Sequence, residues 1–191
     1  RLAVADGGAP ATRNRPEQRN AMNAAILRQL DDGIAGLDAR DDVRVIVVRG
    51  AGPAFCSGRD LKEMEARVAS NDPDAGVVPV LRRIEASRHP SIAVVHGDAI
   101  AGGCELALHC DLRIAADVAR FGMPLARIGL ILGFPLAQKL VEIIGPAHTR
   151  HLLLTGRPID ARRAYEIGMI HQVVPAAELD ASAAALARTV A

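Results

Sequence analysis

Aromatic side chains are scarce: the 191 residues include one Tyr, three Phe and no Trp. That leaves little for the stacking platforms on which single-stranded nucleic acids are held. Long blocks of one charge sign are also missing. With 23 Lys and Arg against 22 Asp and Glu, the formal charge is +1, so neither a nucleic-acid partner nor a membrane-surface helix is expected. Cysteine is limited to Cys56, Cys104 and Cys110, an odd set without CxxC spacing and set in apolar sequence. This argues for buried reduced thiols rather than a disulfide framework, and hence for a cytoplasmic setting. No apolar run approaches the roughly 20 residues of a membrane span, and no signal-peptide pattern is present. His89, His96, His109, His148, His151 and His171 lack HExxH or comparable spacing, so no metal site is expected. No nucleophile elbow points to covalent catalysis.

What is present is alternation. The length fits one domain able to bury roughly 70% of its unfolded surface. Met22, Ile26, Leu27, Leu30, Ile34 and Leu37 recur at helical spacing, with Asn20 or Asn23 placed to cap the start. VRVIVVRG, Val43 to Gly50, is a β-branched run ended by a GAGP turn, and SIAVVHG, Ser91 to Gly97, is a second. Both read as strands buried on two sides. Between them the pattern predicts helices over Asp60–Ala69 and Val77–Ser87, separated by SNDPDAG. Then follow a strand at LRIAA, a helix from Pro135 to Ile144 closed by Gly145, another from His148 to Leu154, DARRAYEIG closed by Gly168, a strand in IHQVVP and an Ala-rich helix. Strands alternating with helices predict an α/β class with a largely parallel sheet.

Two stretches carry candidate chemistry. In AIAGGCELALHCD, Ala99 to Asp111, a Gly pair precedes a helical run with Glu105 in its first turn. Glycine lets the backbone approach a ligand closely, and the N–H groups of a helix start face negative charge. The GxGxxG spacing is absent, and a carboxylate there would repel a pyrophosphate. Two readings stay open on this stretch: Glu105 complements the helix dipole, worth about 0.3–1 kcal/mol, or it moves a proton beside a carbonyl held by those N–H groups. In AFCSGRDLKEME, Ala54 to Glu65, Gly58 precedes Arg59 and Asp60 can cap a short helix. Taken alone this is an ordinary strand-to-helix loop. Two such loops, each after a buried strand, put their N–H groups on one edge of a parallel sheet, and two donors on one oxygen make an oxyanion hole. His109, four residues after Glu105, reads as a satisfied structural histidine.

RPEQRNAMN (Arg15 to Asn23), VRVIVVRGAGPAFCSGRDLKEM (Val43 to Met64), IAVVHGDAIAGGCELALHCDLRIAA (Ile92 to Ala116) and LLLTGRPIDARRAYEIGMIHQVVP (Leu152 to Pro175) together resemble the enoyl-CoA hydratase/isomerase, or crotonase, superfamily. The resemblance implies a single α/β domain over residues 1–191, wound as a spiral of repeated ββα units. It implies an acyl-CoA thioester as substrate, no cofactor beyond the coenzyme A of that substrate, and assembly as a homotrimer or a dimer of trimers. By position, the backbone N–H groups of Arg59 and Gly102 form the oxyanion hole. Arg59, Asp60, Leu61 and Lys62 follow the segment along which the family lays coenzyme A. Glu105 matches one of two catalytic glutamates.

The second glutamate is missing, because FGMPLARIG has Leu125 where the hydratases carry it. Leu125 and Phe134, the latter in ILGFPLAQKL where the family often has small residues, become candidates for the acyl pocket. Family chains continue past Ala191 into helices that pack on neighbouring subunits, and this chain reads as lacking that segment. The expected activity is hydration of a 2-enoyl-CoA, with double-bond isomerisation as the alternative. A contrasting class is a catalytically weak acyl-CoA-binding or assembly protein.

Overall fold

The buried apolar runs emerge as strands of one sheet, and the residues just after each run feed a second. The computed structural model describes residues 8–13, 16–61, 63 and 77–191. Its strands are β1 (Gly8–Arg13), β2 (Val45–Gly50), β3 (Ala54–Cys56), β4 (Ser91–Val95), β5 (Asp98–Ile100), β6 (Leu112–Ala116), β7 (Arg120–Gly122), β8 (Ile159–Asp160) and β9 (Gln172–Val174). Its α-helices are α1 (Ala24–Asp38), α2 (Val78–Ala86), α3 (Gly102–Leu108), α4 (Phe134–Thr155), α5 (Ala161–Glu166) and α6 (Leu179–Val190). A wholly parallel sheet has the order β1-β2-β4-β6-β9. The second sheet has the order β3-β5-β7-β8, parallel except for the β7–β8 pair. From β2 to β7 successive strands alternate between the sheets.

The parallel sheet is apolar on both faces, which explains the continuous runs in its sequence. Ile46, Val48, Ala93, Val95 and Ala115 join the main core with α1, α2 and α3, whereas Val45, Ile92, Val94, Ile114 and Ala116 pack against Leu179 and Ala183 of α6. The period of two along each strand assigns neighbours to opposite cores.

Helix ends follow local chemistry. Asn23 caps α1, its side chain accepting from the Ile26 N–H at 3.0 Å. Asn20, the other capping candidate, is fully buried and donates to the carbonyls of Ala51 and Ala54, both at 2.7 Å. Gly145, at φ 71°, interrupts α4 before Pro146, where the sequence predicts one helix to close. Of the helix expected over Asp60–Ala69, only Asp60, Leu61 and Glu63 fall among the described residues, and Lys62 lies outside them. The second sheet was not expected from periodicity, since strands of two or three residues display none. No helix among the described residues is long and apolar enough to cross a membrane.

Candidate active site

The site grows from the β3–β5 pair. Because these strands run parallel, with Cys56 opposite Ala99, the chain leaves both at the same edge, and Ser57–Asp60 comes to lie beside Ala101–Gly102. Gly58 has φ +97°, and a Cβ there would sit 3.1 Å from the Ala101 Cβ and 3.3 Å from the Gly102 nitrogen. A Cβ on Gly102 would sit 3.7 Å from the Arg59 nitrogen and 2.9 Å from the Met22 Cε. The amides of Arg59 and Gly102 are therefore neighbours, and glycine is what allows the approach. The segment before α1 braces this loop from behind: Met22 N–H donates to the Gly58 carbonyl at 2.7 Å, and Asp60 N–H to the Met22 carbonyl at 3.0 Å.

Helix α3 begins without a side-chain cap. Its preceding residue, Ala101, has φ 50° and ψ −120°, a conformation costly for a residue with a Cβ. The Ala101 N–H donates to the Gly122 carbonyl at 2.8 Å, which holds the turn, and the Glu105 N–H returns to the Ala101 carbonyl at 3.0 Å. Gly102 thus occupies the first helical position, whose N–H precedes the first intrahelical bond. At Gly103 a Cβ would lie 2.1 Å from the Cys56 carbonyl oxygen, so only glycine lets α3 pack this closely on β3. At the other end of the helix the buried Arg113 guanidinium donates to the carbonyls of Leu108 at 3.3 Å, Cys110 at 2.5 Å and Met169 at 2.7 Å.

Glu105 sits one turn into α3 with 0% exposure. Neither of its carboxyl oxygens has a hydrogen-bond partner among the described residues. Burial raises its pKa to about 8, an effect moderated by the positive charge of Lys139. Lys139 is itself paired with Glu85 at 2.6 Å and Glu142 at 3.3 Å. His109 contacts the Glu105 carbonyl through Nδ1 at 2.7 Å. A carbonyl only accepts, so Nδ1 carries the proton. Burial holds His109 below the usual imidazole range and hence neutral. Burial also pushes the adjacent Cys104 thiol up, so it stays protonated.

A cavity of about 540 Å³ opens between these loops. Arg59, Leu61, Gly102, Glu105 and Leu125 all line it, which brings together five of the residues singled out from the sequence. Asp60 is not on its wall. Phe134 is a correction: it stands 79% exposed at the start of α4, and Leu136 lines the cavity instead. Sequence reasoning missed Ile100, Met123, Arg127, Ile128, Leu130 and Leu132, which also line it. They come from the end of a three-residue strand, a short 3-10 turn (Pro124–Ile128) with the residue before it, and the irregular stretch after it, none of which has a period to read. Among the described residues no group of three His, Cys, Asp or Glu could hold a metal ion.

Comparison with known proteins identifies the family. The family model described as enoyl-CoA hydratase/isomerase matches residues 9–191. A probable enoyl-CoA hydratase of Mycobacterium tuberculosis is 38% identical over 179 residues, covering 94% of this chain and 70% of the relative. A crotonyl-CoA hydratase of Syntrophomonas wolfei is 37% identical over 169 residues, covering 87% of this chain and 65% of the relative. The crystal structure of an enoyl-CoA hydratase/carnithine racemase from Magnetospirillum magneticum superposes with a TM-score of 0.93 at 31% identity, covering 99% of this chain and 73% of the other. A polypeptide whose two glycine-bearing loops meet over a buried glutamate, and whose sequence and fold match over nearly its whole length, belongs to the enoyl-CoA hydratase/isomerase family.

Proposed function

We propose that the chain is an acyl-CoA-processing enzyme that adds water to a 2-enoyl-CoA, with Glu105 as its acid/base. The observation that carries this reading is the buried Glu105 carboxyl on the wall of the cavity that Arg59 and Gly102 also line. The thioester carbonyl oxygen lies between the N–H groups of Arg59 and Gly102, which stabilise it as it takes on enolate charge; losing one such donor costs roughly 100- to 1000-fold in rate. Ionised Glu105 takes a proton from water as hydroxide adds to C3, then returns that proton to C2. Arg59, Asp60, Leu61 and Lys62 follow the coenzyme A moiety, and Leu125 with Leu132 and Leu136 faces the acyl chain. The only cofactor-like group is the coenzyme A of the substrate. The cell compartment in this reading is the cytoplasm, which the free buried cysteines support. Assembly as a homotrimer or dimer of trimers goes with it, supported by the exposed apolar side chains of Ile131, Phe134 and Leu154.

Leu125 favours a second reading. Glu105 is the single carboxylate among the described residues of the cavity wall, and one carboxylate suffices to lift a proton from C2 and replace it at C4, which moves a double bond. Assay of 2-enoyl-, 3-enoyl- and malonyl-type CoA thioesters with the native protein and Glu105→Gln separates the readings. Hydration of the 2-enoyl thioester, lost at least 100-fold in Glu105→Gln, is the expected result. Turnover of the 3-enoyl thioester alone identifies an isomerase. Turnover indifferent to Glu105→Gln removes the assigned role, and binding without turnover identifies an acyl-CoA-binding protein.

A further inference from the structure

Glu105 is bordered by two unlike spaces. The front cavity presents hydrocarbon from Ile100, Met123, Leu125, Leu130 and Leu132. An acyl chain filling it, together with the reacting water, closes the front route between bulk solvent and a carboxyl that has 0% exposure and no hydrogen-bond partner among the described residues. Behind α3 lies a second cavity of about 310 Å³ whose wall includes Arg82, Glu85, His109, Gln138, Lys139 and Glu142. Arg82, Glu85, Gln138 and Glu142 are exposed, so this space opens to solvent. Leu136 borders both cavities. His109 joins the rear space to the carboxyl: it lines that cavity, while its Nδ1 is 2.7 Å from the Glu105 carbonyl and 3.9 Å from Oε2. A neutral imidazole can accept a proton on one nitrogen and release one from the other.

We infer that the rear cavity is the route by which the Glu105 carboxyl exchanges protons with solvent while substrate fills the front, with His109 as the relay. The inference rests on Glu105 being the proton-transferring group. His109 acts through Glu105 and is a positioning residue, not one that touches substrate. In the inward direction a solvent proton binds Nε2 and gives the imidazolium. The carboxylate then turns into hydrogen-bond range, about 2.6–3.2 Å, and takes the Nδ1 proton, leaving a neutral ring protonated on Nε2. Exchange with solvent restores the starting tautomer, and the reverse sequence carries a proton out. The charged groups around the path are compatible with it. On the rear rim Lys139 of α4 is balanced by Glu85 of α2 and Glu142 of α4, with Arg82 alongside. On the remaining sides Asp98 of β5 is paired with Arg120, β3 contributes only the Cys56 thiol, the Cys104 thiol stays protonated, and Arg127 lies across the front cavity.

A saturated four-carbon acyl-CoA tests this, because it can neither add water nor shift a double bond. Its C2 protons, followed by proton NMR in D2O, exchange only when the base removes one and trades it with solvent. Native protein exchanges them and Glu105→Gln does not. His109→Leu slows the exchange roughly tenfold or more, and so does His109→Gln, which keeps a polar group toward the Glu105 carbonyl but cannot relay. Imidazole added to the buffer restores exchange in His109→Gly, which leaves a space for the ring, and a merely structural role would not produce that rescue. Exchange at the native rate in His109→Leu and His109→Gln, with Glu105→Gln inactive, overturns the relay and leaves the proposed function standing. Exchange persisting in Glu105→Gln overturns the proposed function and the relay together.

Discussion

The two sheets of this molecule divide its tasks. Strands of the parallel sheet such as β2 and β4, six and five residues long, bury side chains on both faces and tie together two apolar cores. The second sheet uses strands of two or three residues, and what matters is where they stop: the ends of β3 and β5 set the Arg59 and Gly102 amides side by side. In the proposed function, stability therefore resides mainly in the long strands, and chemistry at the terminations of the short ones. A substitution in the first sheet should change how much protein is folded, and one in the second how well the folded protein works.

The largest expected effect probes the parallel sheet. Ile92 is fully buried on the face covered by α6, away from the cavity. Ile92→Ala should cost about 2–5 kcal/mol of stability, read from denaturant unfolding, with kcat per folded molecule unchanged; a drop in kcat would break the division. Next comes a residue for which stability and chemistry conflict. The pKa of Glu105 is about 8 in the folded chain against an ordinary 4.5. Stability from its neutral form is full below pH 4.5, is lost as pH rises towards 8, and is gone above it. Glu105→Gln should therefore be the more stable protein at pH 8, by on the order of 3 kcal/mol, and should flatten the fall in Tm over that interval even as turnover disappears. In the native protein, activity that depends on ionised Glu105 should rise through the same pH range.

A third substitution addresses the short sheet. In Gly103→Ala the new Cβ would meet the Cys56 carbonyl at 2.1 Å, forcing α3 off β3. Turnover should fall about 100-fold, since misplacement near 1 Å is enough for that, and the loss should exceed what reduced stability explains. The smallest effect is a gain. Ala101→Gly relieves a positive φ at the start of α3 and should raise stability by about 1 kcal/mol, measured as a shift in the denaturant midpoint. A loss instead would mean that the Ala101 methyl is needed against Gly58.

Legibility divides along the same line. The helix from Met22 to Leu37, the strands around Ile46 and Val94, and the break at Gly145 were readable because each carries a sustained period or a residue with a special backbone role. β5 and β7 were not, because three residues display no period, and so the second sheet stayed hidden even though the loops at its edge could be named. The site shows the same contrast. Arg59, Gly102 and Glu105 stand in recognisable motifs, whereas Arg127 and Ile128 reach the cavity from a 3-10 turn and Met123, Leu130 and Leu132 from irregular backbone. Phe134 was misplaced for that reason: nothing in ILGFPLAQKL says which of its apolar side chains turns inward. His109 was read as a satisfied structural histidine, and the Nδ1 contact to the Glu105 carbonyl satisfies it; the cavity it also lines needed coordinates to be seen.

Arg113 has a consequence beyond packing. By gripping the carbonyls of Leu108, Cys110 and Met169, it moors the far end of α3 while Gly103 moors the near end against Cys56. The helix backbone that carries Glu105 is thus held at both ends by contacts outside residues 123–136, which shape the front cavity. In the proposed function the reactive centre and the acyl wall are therefore separable modules: the wall could be redrawn to suit a longer, shorter or more polar acyl group while the anchors of α3 stay in place. An architecture of that kind invites diversification, because mutations that change what is accepted need not alter what is done to it.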